Sequence, residues 1–252
     1  MPDTAGFSPV RVIAVTLQQP TASLAKALEA LLQSLELCCA QLEKRQTAAA
    51  VHQCRVAGRQ LIAFLQAMHQ ASKVRGIGKA QRRVSDLINC LGTARDADVR
   101  LAMLGGHHQT VAEGATLLGA AQRSATKAYE QLGDTLRSAG WRHQRVLLRD
   151  VIYDLSDKRQ VRNTTLADIA LPLRRGVRRF VKRVPKKQLS PRKQHRLRLQ
   201  VKTMRYLADQ FGLASDPTMV KHMKYLKKLQ HRLGARRDRM ALIEWIGAQD
   251  LH

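Results

Sequence analysis

Acidic residues are scarce in this chain: 19 Asp and Glu stand against 44 Lys and Arg in 252 residues, a formal charge of +25. That excludes an acidic or neutral binding surface. A polyanion becomes the default partner, because such a field draws anions in and keeps copies of the chain apart. Aromatic residues are few as well, four Phe, two Trp and four Tyr, which leaves little for the base stacking that single-strand binders use. The four cysteines, Cys38, Cys39, Cys54 and Cys90, contain no C-x-x-C pair, and no Cys/His spacing resembles a zinc site. They read as reduced, mostly buried thiols of a cytoplasmic protein. Every apolar run falls short of the ~20 residues of a membrane-spanning helix. Residues 1–20 carry a short apolar stretch at 10–15 with no basic segment before it, so no secretory signal is read there. Apolar content is not lacking: 44% of residues are hydrophobic, enough to expect a buried core.

Apolar spacing predicts helices and almost nothing else. Leu24, Leu28, Leu31, Leu32 and Leu35 mark a first stripe that runs to about Lys44. Further helices are predicted at about 47–72, 79–104 with a kink or continuation past Gly92, 110–138, 141–156, 165–184, 191–212 and 217–247. Pro185, Pro191, Gly212 and Pro217 punctuate the last three. A run at 10–17 reads as a strand. Short connections between long amphipathic helices argue antiparallel packing. The expected fold is all-α, two pseudo-repeated antiparallel helical bundles with a basic surface or cleft. Its division is a tail at 1–19, a first bundle at 20–156, a linker at 157–164 and a second bundle at 165–252.

The charge is concentrated. From 174 to 239 there are 22 Lys and Arg and three acids, so this stretch holds +19 of the +25. A block of like charge is often a disordered tail. Here Leu173, Val177, Phe180, Val181 and Val184 keep one helical face, opposite Arg175, Arg178, Arg179 and Lys182, which predicts a folded helix with a basic side.

An internal repeat organises these cations. His52, Arg55 and Arg59 align with His195, Arg198 and Lys202 at an offset of 143. At an offset of 142, Lys79 and Arg82 align with Lys221 and Lys224, Leu91-Gly92 with Leu233-Gly234, and Arg95-Asp96 with Arg237-Asp238. Ordered matches of this kind point to duplication of a helical unit. Positions i, i+3 and i+7 share a helix face. His52, Arg55 and Arg59 thus form one stripe, opposite Cys54, Ala57, Leu61, Leu65 and Met68. His195, Arg198 and Lys202 form another, with Arg205 at its edge, opposite Val201, Met204, Leu207, Ala208 and Phe211. Lys221, Lys224 and Lys228 make a third. Like charges stacked a turn apart cost a few tenths of a kcal/mol each, and carrying that cost twice suggests a compensating anion.

The segments His52-Gln-Cys-Arg-Val-Ala-Gly-Arg and His195-Arg-Leu-Arg-Leu-Gln-Val-Lys-Thr-Met-Arg-Tyr resemble the twin signature of the CHAD domain, the conserved-histidine α-helical domain. Leu91-Gly-Thr-Ala-Arg-Asp and Leu233-Gly-Ala-Arg-Arg-Asp resemble that family's second signature. The resemblance runs from about Thr21 to the end of the chain. It implies two similar helical bundles that bind inorganic polyphosphate through histidine and basic side chains. Matched residue by residue, the binding set would be His52, Arg55, Arg59, His195, Arg198 and Lys202, with Arg95 and Arg237 added. Lys202 stands where arginine is more usual, which keeps the charge and loses a bidentate contact. The second copy also has less chain after its Arg-Asp motif than the first. That leaves its bundle short of a helix or paired with another chain, and a homo-oligomer fits this.

The expected site therefore comprises His52, Arg55, Arg59, Lys79, Arg82, Arg95, His195, Arg198, Lys202, Arg205, Lys221, Lys224, Lys228 and Arg237, with no catalytic residue, cofactor or metal. Asp96 and Asp238 are each expected to pair with an arginine of their own bundle. A metal at Asp96 and Asp98 is disfavoured because Met240 replaces Asp98 in the second copy. No P-loop, G-x-S-x-G or E-x-E-x-K signature is present. The expectation is a cytoplasmic polyphosphate binder, non-catalytic, attached to polyphosphate granules or serving phosphate metabolism. Nucleic acid, bound by its backbone, is the alternative partner, and a scaffold on a granule is a compatible third reading.

Overall fold

The leucine stripe at the start of the chain builds α1 (Leu24–Lys44). Its five predicted leucines are almost wholly buried, and Ser23 Oγ caps it by accepting from the Lys26 amide at 3.4 Å. The structure, a computed structural model, describes residues 23–72, 74–105, 112–185, 189–213 and 216–248. The helices that follow are α2 (Ala48–Ser72), α3 (Ile77–Asn89), α4 (Gly92–Gly105), α5 (Ala112–Arg137), α6 (Ala139–Ser156), α7 (Arg159–Asn163), α8 (Leu166–Arg183), α9 (Pro191–Gln210) and α10 (Val220–Gly247). Their ends follow local chemistry. Gly76 takes φ +100 before α3, a left-handed value that suits glycine. A capping box of Thr165 and Asp168 opens α8, and Pro191 occupies the first turn of α9.

Helix α2 sits at the centre. It packs on α1, α3 and α9. Its predicted buried face is buried throughout: Cys54, Ala57, Leu61, Leu65 and Met68 are all at 1% exposure or less. Gly58 lets α3 come close, since a Cβ there would overlap Ile88 Cγ2. The α2–α9 contact is equally intimate. Phe64 stacks on Phe211 with ring centroids 6.0 Å apart, and Gln210 Nε2 donates to the Gln60 carbonyl at 3.1 Å. One apolar core therefore runs from Leu24 to Leu229. A small satellite of Ala97, Ala125 and Ala128 joins α4 to α5. Trp141 of α6 is buried against α1, its indole N–H donating to Glu43 Oε1 at 2.6 Å, and Arg145 Nη1 binds the same oxygen.

Three local readings change. The polar 157–164 connection contains α7, whose Val161 is fully buried. The Thr164 carbonyl accepts from the Leu24 amide at 2.9 Å, so this connection is pinned to the start of α1. The predicted 79–104 helix breaks at Cys90 and Leu91 into α3 and α4, while α10 passes through the matching Arg232 and Leu233 unbroken. Cys90 is exposed rather than buried, because it caps the outward-facing end of α3, where its thiol donates to the Asp86 carbonyl at 3.3 Å. Cys38, Cys39 and Cys54 are buried as expected. The tail at 1–19 and the strand read at 10–17 lie outside the described residues. Among the described residues, no helix is long and apolar enough to cross a membrane.

Candidate anion-binding cleft

Because α2 and α9 lie side by side with their apolar faces in the shared core, their polar stripes open onto the same space. His52, Arg55 and Arg59 from α2, Arg198 and Lys202 from α9, and Arg95 from α4 line one cavity of about 390 Å³. Tyr206 lies on the same wall, and α10 closes the cavity with Gln230, His231, Gly234 and Asp238. Six of the predicted site residues are thus brought together from both halves of the repeat.

The repeat partners Arg55 and Arg198 are held differently. Arg55 Nη1 donates to the Ile88 carbonyl at 2.9 Å, satisfying the end of α3 where the helix breaks. Arg198 meets an unbroken α10 instead, and its buried Nε has no hydrogen-bond partner among the described residues. The cations also crowd one another. Burial, followed by the neighbouring arginines Arg198 and Arg59, lowers the Lys202 pKa to about 7, against an opposing pull from Asp238. Burial and then Arg95, Lys202 and Arg55 push His52 below the usual histidine value. The Arg55 and Arg198 guanidinium pKa values are lowered, chiefly by burial. Burial raises the Tyr206 phenol, against the pull of four arginines.

The expected ion pairs of Asp96 and Asp238 are absent: among the described residues neither carboxylate has a basic partner within 4.0 Å. Arg55 is committed to the Ile88 carbonyl, and each acid acts through the field instead. Asp96 supports the charge on Arg55, and Asp238 supports Arg198 and Lys202. Asp98 accepts from the Tyr129 hydroxyl at 2.9 Å, on the α5 side. Among the described residues no group of three or more His, Cys, Asp or Glu is placed to hold a metal ion.

His195 and Arg237 line an adjoining cavity of about 310 Å³, floored by Pro191, Leu233 and Met240. Arg198 belongs to both cavities, so the two repeat histidines line different cavities that meet at this arginine. The other predicted residues lie elsewhere. Lys79 and Arg82 are on the exposed side of α3, and Lys221, Lys224 and Lys228 on the exposed side of α10. None of the five lines either cavity. Arg205 faces Asp209 one turn on, at 3.4 Å. The sequence reading missed Tyr206, although it stands one turn beyond Lys202 and could have been found by extending that stripe. Gln230 and His231 had no such signal.

Among solved structures, the chain is similar to the CHAD domain from the plant Ricinus communis, with 21% identity over 97% of this chain and 86% of that chain and a TM-score of 0.76. It is also similar to PptA from Streptomyces chartreusis, with 15% identity over 89% of this chain and 98% of that chain and a TM-score of 0.57. At these identities the likeness speaks for the fold. No curated protein sequence matches the chain. The family model of the CHAD domain matches residues 22–247, a span that takes in every described helix and both cationic stripes, and the chain belongs to the CHAD-domain family.

Proposed function

We propose that this chain binds inorganic polyphosphate along the cleft between α2 and α9, and that it does so without catalysis. The observation that carries the reading is the convergence of Arg55, Arg59, Arg198 and Lys202, drawn from two copies of one helical unit, on a single cavity. Four such cations repel one another unless an anion lies among them. Arginine forks take phosphate oxygens through paired hydrogen bonds, and the unpartnered Arg198 Nε is one such donor. Lysine contributes a point charge. A phosphate chain carries charge at every unit and no bases. The cleft suits that, because Tyr206 is the one phenol, indole or phenyl ring in its lining. The lining acids, Asp96 and Asp238, stand apart from any metal-binding group of carboxylates, whereas phosphoryl transfer normally works through a metal they would hold. With this reading we propose a cytoplasmic protein that attaches to polyphosphate granules or serves phosphate metabolism.

The test is competition. Labelled long-chain polyphosphate is bound at near-physiological salt and challenged with unlabelled polyphosphate, RNA and duplex DNA at matched charge. Polyphosphate is expected to displace the label and the nucleic acids to fail. Equal or better displacement by nucleic acid defeats the reading. Phosphate release from triphosphate with magnesium defeats the non-catalytic part.

A further inference from the structure

The repeat places Arg59 of α2 and Lys202 of α9 at equivalent positions, and the fold puts both in the same cavity. The two differ in one respect that matters here. A guanidinium keeps its proton under all ordinary conditions, whereas an ammonium in a hostile field gives it up. Lys202 is in such a field. It is half-buried, and among the described residues it makes no hydrogen bond or ion pair. Helix α2 turns Arg55, Arg59 and the His52 ring toward it. Its own helix adds Arg198 and Tyr206, and α4 adds Arg95 and Asp96. Helix α10 supplies His231 and the acid that favours the charge, Asp238. Helix α8, which also packs on α9, contributes nothing to the lining.

We propose that occupation of the cleft by a phosphate chain places a proton on Lys202, so that binding consumes protons and tightens as pH falls through neutrality. This rests on the polyphosphate reading above. Phosphate oxygens among the arginines turn the field from repelling a proton to holding one. The empty cleft releases the Lys202 proton as pH rises through about 7, and the filled cleft keeps it to a higher pH. Between those two limits each bound site takes up a proton, and affinity weakens by up to about tenfold per pH unit on going alkaline. Below the lower limit Lys202 is charged in both states and its contribution is flat. His52 starts from below the usual histidine value and lines the same cavity, so the uptake due to Lys202 is the part that Lys202→Arg removes.

Titration calorimetry with long-chain polyphosphate at pH 8, in two buffers of different ionisation enthalpy, counts the protons taken up. Long chains serve because their internal phosphates do not titrate there. Uptake approaching one proton per site is expected for the natural chain and close to none for Lys202→Arg, which keeps the charge permanently. Lys202→Met should bind more weakly, also without uptake. In the free protein, the 13Cε resonance of Lys202 should titrate near neutrality and move to higher pH when polyphosphate is added. Binding with no proton uptake, equal uptake in Lys202→Arg, or a free Lys202 midpoint near 10 overturns the proposal and leaves the polyphosphate reading standing. Failure of polyphosphate to bind at all overturns both.

Discussion

Replacing Gly58 by alanine tests how closely α2 and α3 are locked together. Judged as an isolated helix position, the change is favourable by ~1 kcal/mol, since alanine is the better helix former. The packing argues the other way. The new methyl would overlap Ile88 Cγ2, with Ile88 Cβ and Val84 Cγ1 each 3.6 Å away. Ile88 is a β-branched residue held to few rotamers in its helix, and at 5% exposure it has nowhere to turn. Overpacking of this kind costs ~1–3 kcal/mol, and a stiff neighbour puts Gly58→Ala toward the upper end. The net expectation is a loss of ~1–2 kcal/mol, which for a chain of this size lowers Tm by ~2–8 °C. Urea unfolding reads it directly. The same substitution in an Ile88→Ala background, where the obstructing methyl is gone, should be neutral or stabilising by ~1 kcal/mol. There is also a functional reading. Arg55 lies one turn before Gly58 and donates to the Ile88 carbonyl, so moving α3 away should weaken polyphosphate binding with every cleft side chain intact. Gly58→Ala at least as stable as the natural chain, or equal effects in both backgrounds, refutes the reasoning.

Arg198→Met should weaken polyphosphate binding by roughly 10- to 100-fold at fixed salt, the worth of a charge-assisted hydrogen bond, while urea unfolding shows little loss because its Nε has no protein partner. Plots of log affinity against log salt should lose close to ~0.7–0.9 of slope for Arg59→Ala, and keep their slope for Lys79→Ala, which lies outside both cavities. Glu43→Ala strips the buried Trp141 indole of its acceptor and should cost ~1–3 kcal/mol in chemical denaturation. Hydrogen bonds from Thr165 hold Asp168 below the usual carboxylate range, and those from Thr218 do the same for Asp216. Their stabilising effect is present above the ordinary carboxylate value of ~4 and lost as pH falls through the depressed values. Acid titration of Asp168→Asn and Asp216→Asn, followed by circular dichroism, should therefore show a shallower loss of helix below pH ~4.

The long helices were legible because they pair a 3.6-residue apolar stripe with punctuation, such as the leucines of α1 or Pro191 at the start of α9, whereas the five-residue α7 is too short to show such a stripe. The stripes themselves were legible for the same reason. What spacing does not contain is the direction in which a face looks. Lys221, Lys224 and Lys228 repeat at the interval of Arg198 and Lys202, yet α10 turns them outward, because Met223, Leu226 and Leu229 claim the inner side. Which cations converge depends on α2 meeting α9 across about 150 residues of chain, and no local pattern encodes that. The ion pairs expected of Asp96 and Asp238 failed on a similar point: adjacency in a motif places an acid near an arginine without fixing the side-chain reach. The break at Cys90 and Leu91 shows the limit of the repeat, since matching residues in α10 support continuous helix.

The Phe64–Phe211 stack also bears on how the protein is made. A ribosome adding ~5–20 residues per second needs roughly 7–30 s to get from one ring to the other. Through that interval the α9-facing side of α2 has no partner from its own chain. Nascent chains halted before residue 211 should accordingly be cut by protease within α2 and recruit chaperones, and chains released beyond it should resist.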